Sequence, residues 1–102
     1  MDIPAAPRPA DVIAALGNPV RWHILRELAR GEPLPVVELS RRLGWVPANL
    51  SRHALVLLRA GVVERGYGQL YRIPERFLVP DQPATLDLGV AVLRLDRLDA
   101  AA

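Results

Sequence analysis

Glycine and proline cut the first sixty residues of this chain into short pieces. Gly17, Gly31, Gly44 and Gly61 each close a stretch with regular apolar spacing, and Pro9, Pro19 and Pro47 each open one. Proline is tolerated in the first turn of a helix and disruptive inside it, while glycine just past the last turn ends one. The spacing predicts four short helices. The first begins near Pro9–Asp11 and runs to Leu16, with Val12, Ile13 and Leu16 as its apolar stripe. Asn18 is a good N-cap for the second, and Val20, Ile24, Leu25 and Leu28 form its inner face. Arg21, Arg26, Glu27 and Arg30 are expected on its wet side, and Glu32-Pro33 is a turn. The third starts around Pro35 and repeats Val36, Leu39 and Leu43; the fourth starts at Pro47 and buries Leu50, Ala54 and Leu57.

Beyond Gly61 the pattern changes. Val62–Arg65 reads as a strand, Gly66-Tyr67-Gly68 as a turn and Gln69–Ile73 as a return strand, with both glycines expected to supply positive φ. Pro74, Pro80 and Pro83 punctuate a linker. Thr85–Leu95 fits a helix at Leu88, Val92 and Leu95, but its Val and Thr content and internal Gly89 favour a strand. The expected fold is α+β, mainly α: four helices, a two-stranded wing and a C-terminal strand. The expected divisions are a flexible lead (1–8), the helical and wing unit (9–74), and a linker with the C-terminal strand (75–102).

Composition limits the chemistry. A chain of 102 residues, 51% hydrophobic, makes one small packed domain. It has no Cys and only two His, at positions 23 and 53. Thiol nucleophiles, Cys-based metal sites and disulfides are excluded, and no nucleophile–base pair or phosphate loop is visible. An enzyme is not expected, and neither is a cofactor. All 13 basic residues are Arg. They outnumber acids in residues 1–80 and are outnumbered in 81–102, so a basic body carries an acidic tail. That asymmetry fits a nucleic-acid partner; ordinary surface charge is the alternative. No run of about 18 apolar residues exists, and Met1–Pro9 lacks a signal-like apolar core, so a cytoplasmic chain without membrane contact is expected.

Two short helices about a tight turn, followed by a glycine-tipped hairpin, are the parts of a winged helix-turn-helix. The second helix of such a pair enters a DNA major groove with a polar face while its apolar face holds it on the domain. Residues 47–60 meet that requirement. Asn49, Ser51, Arg52 and His53 are available to face out; Arg can bond guanine bidentately and Asn adenine, and Ser51 and His53 can hold phosphates. Arg41 and Arg42 lie on the preceding helix, which crosses the backbone in such pairs, so they join the candidate set; a solvated face is equally consistent. Ser40 is small where the helices cross. His23 reads as a solvated helix residue, Trp22 as half-buried packing and Trp45 as a lid over the core.

Four blocks in order resemble the ArsR-type winged-helix repressors between Ala15 and Ile73. They are Leu16-Gly17-Asn18-Pro19-Val20-Arg21, Glu38-Leu39-Ser40-Arg41-Arg42-Leu43-Gly44, Leu50-Ser51-Arg52-His53 and Leu58-Arg59-Ala60-Gly61-Val62-Val63. The resemblance implies that Ala48, Asn49, Ser51, Arg52 and His53 meet bases and phosphates. It also implies that Arg65, Tyr67, Gln69 and Arg72 lie on or near a wing that touches the flanking DNA. It implies a homodimeric repressor reading inverted repeats in double-stranded DNA, with an unidentified effector and a dimer contact made by the first and last helices.

Three departures shape the expectations. The family's Cys-containing metal site has no counterpart here, and the tail acids Asp81, Asp87, Asp96 and Asp99 come without His, so metal sensing is not expected. Prolines replace the long terminal helix, and the apolar strand is expected to extend the wing sheet or pair with its twin. Leu55 and Leu58 stand where basic residues are common, which predicts a C-terminal cover over that helix and a weaker salt dependence of binding. They also leave open a second function, a winged-helix protein-interaction module without DNA binding.

Overall fold

A computed structural model describes residues 7–98; most of the expected lead, residues 1–6, and Asp99 of the acidic tail lie outside the described residues. The four helices fall where glycine and proline put them: α1 (Pro9–Ala15), α2 (Pro19–Leu28), α3 (Val36–Leu43) and α4 (Pro47–Arg59). The Asn18 side chain accepts from the Val20 N–H at 2.8 Å and caps α2. Gly44 ends α3 in the left-handed region at φ 74°, where a side chain would be strained.

Helix α1 is closed by side chains of α2. Arg21 Nη1 donates to the carbonyls of Ala14 (3.3 Å) and Ala15 (3.0 Å), and Trp22 Nε1 donates to the Leu16 carbonyl at 2.8 Å. Carbonyls in the last turn of a helix lack intrahelical partners, and these side chains supply them; the Ala14 carbonyl also accepts from the Gly17 N–H at 3.2 Å. The inner face of α1 is Val12 and Ala15; Ile13, expected to be buried, is 64% exposed. A three-residue shift along a helix preserves a face, whereas Ile13 sits one residue from Val12 and is turned away.

The core is a single cluster that includes Ile24, Leu25, Leu28, Leu39, Leu50, Ala54 and Leu57. Glu27 departs from the expected wet side of α2 and is buried at 6% exposure. The carboxylate keeps its charge partnered, with Arg30 at 3.6 Å and Arg42 at 3.8 Å.

Strands β1 (Glu64–Gly66) and β2 (Leu70–Arg72) pair antiparallel, with Arg65 opposite Tyr71. Between them the positive φ values belong to Gly68 (77°) and Gln69 (61°), while Gly66 is extended at φ −103°. Only one of the two flanking glycines therefore supplies the left-handed turn. Leu34 adds a rung that the sequence reading missed: its N–H and carbonyl both bond Tyr71, at 2.9 and 2.8 Å. The loop between α2 and α3 is thereby stitched to the wing.

The tail is a hairpin rather than one strand. Strands β3 (Thr85–Asp87) and β4 (Val92–Arg94) pair antiparallel in a sheet of their own, separate from the wing. Gly89, at φ 85°, lies in the connection, where the Leu88 N–H donates to the Ala91 carbonyl at 2.9 Å. The internal glycine thus marked a turn; alternating apolar residues on both sides of it look the same in sequence whether the chain continues or folds back. Leu86, Leu88, Leu93 and Leu95 join the main core, and the turn after β4 packs on α2.

Candidate nucleic-acid interface

The turn between α3 and α4 is held from both sides. Ser40 Oγ donates to the Trp45 carbonyl, bridging the end of α3 to the turn. The Trp45 ring packs on the core and meets the edge of His23, with ring centres 5.7 Å apart at 76°. His23 is thus a half-buried aromatic partner and not simply a solvated residue.

Helix α4 packs on α1, α2 and α3 through the fully buried Leu50, Ala54 and Leu57. That burial fixes its rotation and leaves Ala48, Asn49, Arg52 and Arg59 exposed. Ala48, Arg52, Leu55 and Arg59 follow helical spacing and lie along one outer stripe. Neither Arg52 nor Arg59 has a hydrogen-bond or ion-pair partner among the described residues. Arg59 was absent from the sequence-derived set; its place two turns beyond Arg52 on the same stripe was the signal that could have found it. The expected cover over Leu55 and Leu58 does not form as anticipated. The tail's packing partner is α2, and Leu58 is half-buried because it leans on the main core.

Ser51 and His53 flank the inner face and are half-buried. His53 Nδ1 accepts a hydrogen bond from Arg21 Nε at 3.2 Å. Burial, and then the Arg21 charge, lower its pKa from the ordinary 6.5. An Nδ1 that accepts must carry no proton, so the ring is neutral with its hydrogen on Nε2.

Arg41 and Arg42 are exposed on α3 but already engaged. Arg41 Nε donates to Glu38 Oε1 at 3.0 Å, and its Nη2 bonds the other oxygen. Arg42 reaches Glu38 at 2.7 Å and Glu32 at 2.8 Å, in addition to Glu27. Hydrogen bonds from Arg41 first and Arg42 second bring the Glu38 pKa down to about 2.

On the wing, Tyr67 is fully exposed and Gln69 is exposed beside it. Arg65 lies over the Tyr71 ring, 5.7 Å from its centre, and Nη1 donates to the Tyr71 hydroxyl at 3.2 Å. Arg72 Nε bonds Glu64 at 2.7 Å. Two groups of candidate residues therefore exist: the outer face of α4 with the engaged arginines of α3, and the wing tip. Among the described residues no three His, Asp or Glu converge to hold a metal ion, and no helix is long and apolar enough to cross a membrane.

Compared with known families, residues 16–66 match one described as a helix-turn-helix domain. The matched span runs from the end of α1 through both helices of the pair to the first wing strand. No curated protein and no solved structure matches the chain.

Proposed function

The chain belongs to the helix-turn-helix domain family, and we propose that it is a sequence-specific, dimeric transcriptional repressor of the ArsR type that places α4 in the major groove of an inverted-repeat operator. The observation that carries this reading is the outer stripe of α4. It presents an exposed Arg52 that has no internal partner among the described residues, beside an exposed Asn49, on the second helix of the pair. These side chains match the bidentate chemistry of guanine and adenine edges, and no internal bond has to break before they act. Ala48, Ser51 and His53 line the same helix for close approach and phosphate contact. Arg65, Tyr67 and Gln69 serve the wing, where a fully exposed aromatic and a cation suit the flanking groove. Arg41 and Arg42 take the lesser part, because their guanidinium groups must first leave Glu38. Residues 9–74 form the reading unit, and the described part of the segment 75–102, up to Leu98, buttresses it along α2.

The test is selection from a randomised duplex library at physiological salt, with Arg52→Ala alongside. Enrichment of an inverted repeat by the wild-type chain, absent for the variant, supports a dimeric sequence reader. No enrichment by a folded wild-type chain overturns it. The protein-interaction reading then takes its place, with the half-buried Leu55 at the centre of the surface to probe.

A further inference from the structure

One side chain touches three elements at once. Arg21 stands in the first turn of α2, yet its Nη1 holds the carbonyls of Ala14 and Ala15 at the end of α1, and its Nε donates to His53 on α4. The contact to His53 spans 32 positions of sequence. A neutral imidazole can accept this bond; an imidazolium cannot, because both of its nitrogens then carry hydrogen and its charge repels the guanidinium.

Resting on the DNA-binding reading above, we propose that Arg21 is a positioning residue for DNA recognition: it clamps α4 to the end of α1 through the neutral ring of His53, and protonation of His53 releases the clamp. The electrostatics supports this direction. Arg21 on α2 is the charged group that acts on the ring, and no carboxylate of α1, α3 or α4 among the described residues offsets it. Burial works the same way and disfavours the charged ring. A histidine serving as a cationic phosphate contact would behave in the opposite sense, gaining affinity on acidification. The clamp loses it, because the proton that would add charge also frees the helix.

Two readouts separate the parts of the inference. The first needs no DNA. In the wild-type chain the His53 imidazole, followed by NMR, titrates below 6.5 with the neutral ring protonated at Nε2. In Arg21→Gln the midpoint moves up toward that value. A wild-type midpoint at or above 6.5, or one indifferent to the substitution, overturns the clamp. The second follows affinity for the selected duplex from above pH 6.5 to well below it. Wild-type affinity falls by about tenfold, the worth of one hydrogen bond to a charged group. His53→Asn keeps an acceptor near the Nδ1 position but cannot take up a proton, so whatever affinity it has at neutral pH, it shows no such fall on acidification. A wild-type affinity that rises on acidification overturns the positioning role. Failure of every form to bind any duplex overturns the proposed function and this role together, while the NMR result still decides whether Arg21 clamps His53.

Discussion

Helices α3 and α4 each carry two arginines, and the two pairs stand in opposite electrical circumstances. Arg41 and Arg42 on α3 share the carboxylate of Glu38, and Arg42 also reaches Glu32 and the buried Glu27. Arg52 and Arg59 on α4 meet no acid among the described residues. A count of charges treats the pairs alike. Their partners do not: the first pair is already neutralised and knits α2 to α3, while the second carries no ion pair among the described residues. Position along the chain accounts for this. A single acid, Glu38, stands one helical turn before Arg41 and Arg42, and none occurs anywhere in α4.

The largest effect expected from breaking this contrast is on recognition. Arg52→Ala removes about 1–3 kcal/mol of binding free energy, the worth of one bidentate base contact, with little change in stability. Fluorescence anisotropy with selected and scrambled duplexes measures it, and an equal loss on both would show a phosphate contact in place of a base contact. On the other side, Arg42→Gln strips the buried Glu27 of one of its two cations. The midpoint of thermal unfolding should fall while duplex affinity stays close to wild type; loss of affinity with unchanged stability would mean that Arg42 serves DNA after all.

Acid sharpens the same comparison. Glu38 has its pKa depressed from 4.5 to about 2, so its bonds to Arg41 and Arg42 stabilise the fold fully above 4.5 and are lost as pH falls through about 2. Wild type and Glu38→Gln should therefore differ in thermal midpoint at neutral pH and converge at the acid end. A constant gap at all pH values would remove the ion pairs as the cause. The smallest effect concerns salt. If Arg59 contacts a phosphate, Arg59→Ala lowers the log–log slope of affinity against salt by about 0.9, whereas Arg41→Ala leaves it unchanged. Equal changes for both would erase the distinction between the pairs.

Much of the framework was legible without coordinates. Gly44, Pro47 and Gly61, with the spacing of Leu50, Ala54 and Leu57, were enough to locate α4 and its inward face. These signals are local: cap chemistry and a 3.6-residue period act within a few residues of one another, so a linear reading contains them. The outward stripe follows from the same period, which is why Asn49 and Arg52 could be named from spacing alone.

Tertiary structure decided which of those side chains are available, and in what state. The lowered pKa of His53 comes from burial and from an arginine 32 residues away, and the buried Glu27 finds Arg42 on the next helix. The stitch from Leu34 to Tyr71 and the fold-back of the tail at Gly89 likewise arise between segments far apart in sequence or indistinguishable in pattern. Periodicity records which face is apolar. Hydrogen-bond partners and protonation depend on desolvation and on charges brought close only when the helices pack, so they were set by the assembled core.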